Sequence, residues 1–205
     1  MNTAQEVEIA RPYTMIARTV SDVFSPPVLA APGLALACWA SGVAGVHWFA
    51  LVYFSMAVLP AACYVVWLVK SGRVADFHLP HRQDRRGVFL VSLASGLAAL
   101  GTLVYMGAPS SFLAPILALL FQTLVLFLIT LTWQISIHTA TVSGLVTFAV
   151  LVLGGSAIVL FLLIPLVAWG RIYLGRHTPA QTIAGTCLGC SSFVLLFGVY
   201  ALIWR

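Results

Sequence analysis

Charge is what this sequence has least of. Of its 205 residues only 7% are Asp, Glu, Lys or Arg, against about 25% in an ordinary soluble domain. So few charges cannot cover the surface of a soluble globule of this size. The same scarcity, with 61% hydrophobic residues and a mean hydropathy of +1.06, excludes an intrinsically disordered chain. Acids are rarer still: five Asp and Glu against ten Lys and Arg. No repeat and no low-complexity segment is present, and no cleavable signal peptide is expected, because Ser25-Pro26-Pro27 interrupts the entry to the first apolar run.

What is present is a series of long apolar runs. They cover about residues 28–45, 48–69, 88–106, 112–131 and 182–204, each near the roughly 20 residues a bilayer requires. The runs are continuous and do not alternate every second residue, which points to helices and away from a barrel. The expectation is an all-α polytopic transmembrane bundle of about six or seven spans, occupying residues 25–205. Residues 1–24 carry Glu6, Glu8, Arg11, Arg18 and Asp22 and read as a polar tail or an interfacial helix. The uncharged stretch from Ala140 to Gly170 is ambiguous. As one helix it would be about 46 Å long, too long for a hydrocarbon core of about 30 Å. As two helices turning at Gly154-Gly155 it gives spans of only about 15 residues.

The few polar residues gather in three connections, Lys70 to Gly87, Thr132 to Thr139, and Gly170 to Gln181. These hold His78, His81, His138 and His177 together with Arg82, Arg85, Arg86, Arg171 and Arg176. If the three segments meet, several guanidiniums and at least two imidazoles share one pocket with hardly a carboxylate. Guanidiniums make bidentate, permanently charged contacts to phosphate oxygens, and imidazoles serve as nucleophile and general acid near neutral pH. The basic residues lie between apolar spans and form no exposed stripe, so lipid headgroups or phosphates are expected as partners and nucleic acid is not. No metal or other cofactor is expected, because a site for magnesium-bound diphosphate needs clustered Asp. Cys187 and Cys190, at C-x-x-C spacing in an apolar run, read as small packing residues.

At these residues the sequence resembles the type 2 phosphatidic acid phosphatase family of membrane lipid phosphatases, which shares its site with vanadium haloperoxidases. The family pattern is Lys-x6-Arg-Pro, then Pro-Ser-Gly-His, then Ser-Arg-x5-His-x3-Asp. Gly170-Arg171, five residues, His177, three residues and Gln181 reproduce the third spacing. Ile135-Ser136-Ile137-His138 keeps Ser and His of the second. His78, six residues, then Arg85-Arg86 keeps one Arg of the first. The resemblance covers roughly residues 70–200. It implies hydrolysis of a lipid phosphate or polyprenyl (di)phosphate without a metal. His177 would attack phosphorus and form a phospho-histidine, and His138 would protonate the leaving alkoxide. Arg171 and Arg85, with Arg86 or Arg82, would hold the equatorial oxygens, and Ser136 would add a hydrogen bond. Gln181 takes the place of the Asp that orients the nucleophile. That neutral amide also implies the alternative: a catalytically impaired relative that binds lipid phosphate or serves as a structural subunit of a membrane complex.

Each residue has a plainer reading too. Arg82, Arg85 and Arg86 suit a positive-inside anchor, His138 an interfacial cap, and Arg176 a side chain snorkelling to the headgroups. Trp48, Trp67, Trp133, Trp169 and Trp204 fit an aromatic belt at span ends. For the three connections to share a face, two spans must separate each pair, which favours the Gly154-Gly155 turn and seven crossings. That face would then carry every basic residue except Arg205, which places it in the cytoplasm for a protein of the cell (inner) membrane.

Overall fold

The computed structural model describes residues 13–74 and 82–203, and no strand occurs among them. The helices are α1 (Thr14–Val23), α2 (Pro26–Ser41), α3 (His47–Tyr53), α4 (Leu59–Lys70), α5 (Arg82–Tyr105), α6 (Ser110–Thr130), α7 (Ile137–Leu153), α8 (Leu163–Tyr173) and α9 (Pro179–Ile203). A π-helical turn, Phe54–Val58, joins α3 to α4. It lies just before Pro60, whose missing N–H and bulky ring disturb an α-helical ladder, and the wider turn absorbs the disturbance. Residues 47–70 thus form one helical rod of 24 residues.

Five helical runs are long and apolar enough to cross a membrane, or six when α1 and α2, bent by 45° at Phe24–Ser25, count as one. The distribution of side chains fits an apolar solvent. Leu97, Val104, Ile158, Leu162 and Leu195 are all more than half exposed, whereas Gln122, Ser143, Thr147 and Ser192 are buried. A water-soluble bundle would reverse this order, since an apolar surface of such extent is costly only in water.

The run 137–173 is continuous in helical residues yet does not run straight. Gly154 has φ +77° and ψ −160°, a region open essentially to glycine alone, and it ends α7. Gly154–Leu162 continues as a 3₁₀ helix into α8. Val142 and Val146 of α7 pack in one cluster with Ile164 and Val167 of α8 and Leu29 of α2. In a straight helix Val142 and Val167 would stand about 38 Å apart; the chain therefore folds back on itself. The 3₁₀ segment also answers the objection that the two limbs are too short. At about 2.0 Å per 3₁₀ residue and 1.5 Å per α residue, the return limb reaches roughly 35 Å and α7 roughly 26 Å.

The most extensive helix pairing is α7 with α9. Gly185 and Gly189 of α9 face α7 so tightly that a Cβ on either would meet α7 backbone: at Gly185 the Ser136 carbonyl and the Thr139 hydroxyl, at Gly189 the Ala140 carbonyl and Ser143. The Thr139 and Ser143 hydroxyls use that closeness to donate to the carbonyls of Thr182 and Thr186, both at 3.1 Å. Small residues at a four-residue interval are how helices gain van der Waals contact and hydrogen bonds where lipid supplies no hydrophobic drive. The result fixes the starts of α7 and α9 side by side, at the end of the bundle where the polar connections lie.

Candidate active site

Local chemistry sets the third connection. Thr178 caps α9: its hydroxyl accepts from the Gln181 N–H at 3.3 Å, and Gln181 Oε1 accepts from the Thr178 N–H at 3.1 Å. With Pro179 at the first helical position, Thr-Pro-Ala-Gln is a reciprocal capping box. This box presents Gln181 Oε1 to His177 Nδ1 at 3.0 Å. An amide oxygen with two donors aimed at it can only accept, so Nδ1 carries the proton and Nε2 keeps its lone pair. Nε2 is buried and has no hydrogen-bond partner among the described residues. The ring is thus in the tautomer a nucleophile requires.

Around this imidazole stands a cavity of about 550 Å³, lined by Arg85, Gln134, Arg171, Gly175, Arg176, His177, Thr178 and Gln181. All three polar connections contribute. Arg85 comes from the first turn of α5, Gln134 from the α6–α7 connection, and the rest from the end of α8 to the start of α9. Arg85 and Arg171 are almost fully buried, at 3% and 1% exposed. A guanidinium at a helix N-terminus opposes the helix dipole, so Arg85 holds a cation where the fold alone would disfavour it. No carboxylate lines the cavity among the described residues. Burial foremost, then the Arg171 charge, lower His177 from 6.5; its hydrogen bond to Gln181 pulls the other way, Arg85 and Arg176 add to the depression, and the balance stands at about 4.

The expected site residues therefore divide. Arg85, Arg171, His177 and Gln181 meet at one cavity. Arg86 is exposed on the outer side of the α5 start and does not line it. Ser136 is fully buried, and its hydroxyl accepts from the Thr139 N–H at 3.4 Å as the N-cap of α7, so it holds the helix and stands off the cavity wall. His138 sits on the first turn of α7, 7% exposed, and does not line the cavity. The Ser136 N–H donates to the Gln181 carbonyl at 3.2 Å, which ties this turn to the segment that carries His177. His78, His81 and the Arg82 side chain lie outside the described residues. Arg176, read from the sequence as a snorkelling residue, instead lines the cavity, half-buried. It turns inward because Gly175, at φ +67°, reverses the chain after α8. Gln134 was not singled out by the sequence, since a lone amide in a polar connection carries no pattern.

Among the described residues no group of three or more His, Cys, Asp or Glu is placed to hold a metal ion. The donors at the cavity are cationic and suit an anion. The chain matches no family model, no curated protein and no solved structure. The functional reading consequently rests on the residues and their geometry.

Proposed function

We propose that this protein is a multi-pass membrane phosphatase acting on a lipid phosphate or polyprenyl (di)phosphate, a member of the type 2 phosphatidic acid phosphatase class. The observation that carries the reading is the convergence of Arg85, Arg171 and Arg176 on a neutral imidazole whose Nδ1 proton is held by Gln181. In the proposed reaction His177 Nε2 attacks phosphorus, the P–O bond to the lipid breaks, and the alkoxide takes a proton, the role the resemblance gives to His138, which stands off the cavity lining. Water then displaces the histidine and releases inorganic phosphate. The three guanidiniums hold the equatorial oxygens, where transition-state charge concentrates, so their fixed positions lower the barrier. The bundle crosses the membrane seven times in this reading, with α7 and the 154–173 limb as separate crossings and the cavity on the cytoplasmic face of the cell (inner) membrane.

The test is phosphate release by the purified protein in EDTA from phosphatidic acid, phosphatidylglycerol phosphate, polyprenyl phosphate and polyprenyl diphosphate. Release from at least one substrate is expected, with loss of about a hundredfold or more in His177→Ala and a smaller loss in His138→Ala. Gln181 favours one rival reading, since an uncharged orienting group gives less support to the cationic imidazole than a carboxylate does. Tight lipid-phosphate binding with no release from any of the four substrates would establish that rival, a binding protein or structural subunit.

A further inference from the structure

Helix α1 is docked where it bears on the proposed phosphate site. Its inward stripe is Ala17, Val20 and Ser21, with Ala17 and Ser21 fully buried. The stripe lies antiparallel along the end of α8. The Tyr13 N–H donates to the Tyr173 hydroxyl at 3.2 Å, and the two rings meet edge-on at 6.4 Å. The helices approach closely at Gly170, where a Cβ would stand in ordinary contact at 3.4 Å from the Ala17 carbonyl oxygen and 3.5 Å from Val20 Cγ1. Further in, Val20 and Phe24 pack against the cluster that contains Ile164 and Val167.

The residue after Gly170 is Arg171, the largest of the fully buried side chains. Its Nη1 donates to Ser21 Oγ at 3.5 Å across 150 positions of sequence. Buried helical serines commonly bond a carbonyl one turn back in their own helix. Ser21 makes no such bond among the described residues, so its hydroxyl is left to the guanidinium. Ser21 does not line the cavity, whereas Arg171 does. The hydroxyl therefore meets, from outside the cavity lining, a side chain that itself lines the cavity. A guanidinium fork held in one orientation binds phosphate with less ordering cost than one free to sample its rotamers.

We propose that α1 belongs to the anion site, with Ser21 a positioning residue that fixes the Arg171 fork for the phosphate group. The proposal rests on the phosphate-site reading above and adds to it that the N-terminal helix sets the affinity. It also explains why a short helix in the polar N-terminal segment buries a serine completely against a membrane rod.

The experiment is calorimetric titration of the full chain in detergent with inorganic phosphate. Ser21→Ala should weaken phosphate binding roughly three- to tenfold, the range for losing one ordinary hydrogen bond. Ser21→Cys, which keeps the volume but accepts poorly, should act in the same direction. In an Arg171→Met background the Ser21→Ala change should have no further effect, because the group it positions is gone. With phosphatidic acid in mixed micelles as a second arm, Ser21→Ala should raise KM more than it lowers kcat, which separates a headgroup effect from one on free phosphate. Unchanged binding in both Ser21 variants overturns the proposal. So does an equal loss in the Arg171→Met background, which would mark Ser21 as a general support for α1 docking. Failure of the wild type to bind phosphate would remove the phosphate-site reading itself, and this proposal with it.

Discussion

At the scale of the residue, the consequential feature is an amide where a carboxylate would make a stronger base of its histidine. Gln181 Oε1 fixes the tautomer through Nδ1 but adds no negative charge, and three arginines stand around the same cavity. Burial first, and these charges after it, hold His177 down at about 4. Nε2 then stays unprotonated across the whole physiological range. The acid limb of kcat/KM is expected near pH 4 and not near the ordinary 6.5. Gln181→Asp brings a carboxylate to Nδ1 and should move that limb upward by a unit or more, on the order of the shift a close opposite charge produces. A pH–rate profile of both proteins measures this, and coincident acid limbs would show that His177 is not the titrating nucleophile. The linkage to stability has a definite sign. Because the folded pKa lies below the unfolded one, the unfolded chain binds the extra proton between about pH 4 and 6.5. His177 therefore costs stability progressively as pH falls through that window and costs none above it.

At the scale of the element, the α7–α9 contact determines whether the site forms at all. Gly185 and Gly189 bring the two helix starts together, and the Ser136 N–H to Gln181 carbonyl bond at 3.2 Å is made across that contact. Glycine inside a helix normally costs about 0.5–1 kcal/mol relative to alanine. Gly101→Ala in α5, where a Cβ meets nothing within 4 Å, should therefore raise the Tm slightly. Gly189→Ala should lower it, because the new Cβ meets the Ala140 carbonyl and the Ser143 hydroxyl; overpacking of this kind costs roughly 1–3 kcal/mol. Thermal unfolding of both variants in one detergent gives the comparison, and a rise in both would mean that the two helices do not approach this closely. The apolar runs marked these helices well in the sequence, because length and hydropathy alone identify a span. The 3₁₀ character of Gly154–Leu162 left no such mark. A segment apolar on every side has no phase from which its period can be read. The candidate site was legible in the same uneven way. Arg171, His177 and Gln181 lie within eleven consecutive residues, so one loop and one capping box fix their spacing. Ser21 meets Arg171 only through tertiary packing, and Arg176 belongs to a residue type that is ordinary at a membrane surface.

At the scale of the whole molecule, the direction of the 137–173 run decides everything above it. Were it straight, Gln134 and Arg171 would lie at opposite ends of a rod about 55 Å long, and no cavity would contain both. Instead both line the same cavity, and the glycine-only conformation at Gly154 is the local reason. The fold-back has a consequence that can be measured in an intact membrane. With Cys38, Cys63, Cys187 and Cys190 replaced, single cysteines at Thr132, Ser156 and Gly175 should divide by side. An impermeant maleimide should modify Thr132→Cys and Gly175→Cys from one face of sealed vesicles and Ser156→Cys from the other. Under the proposed orientation the first two react only in inside-out vesicles. Reaction of Thr132→Cys and Gly175→Cys from opposite faces would mean a single crossing between them. The arginines of α5 and α8 would then be separated by the membrane, and the proposed phosphate site would be lost. Reaction of the pair from one shared face, but in right-side-out vesicles, would keep the site and move it to the outer surface. The positive-inside inference would then be the part to give up, because arginines held in a binding cavity no longer report which loops stayed in the cytoplasm.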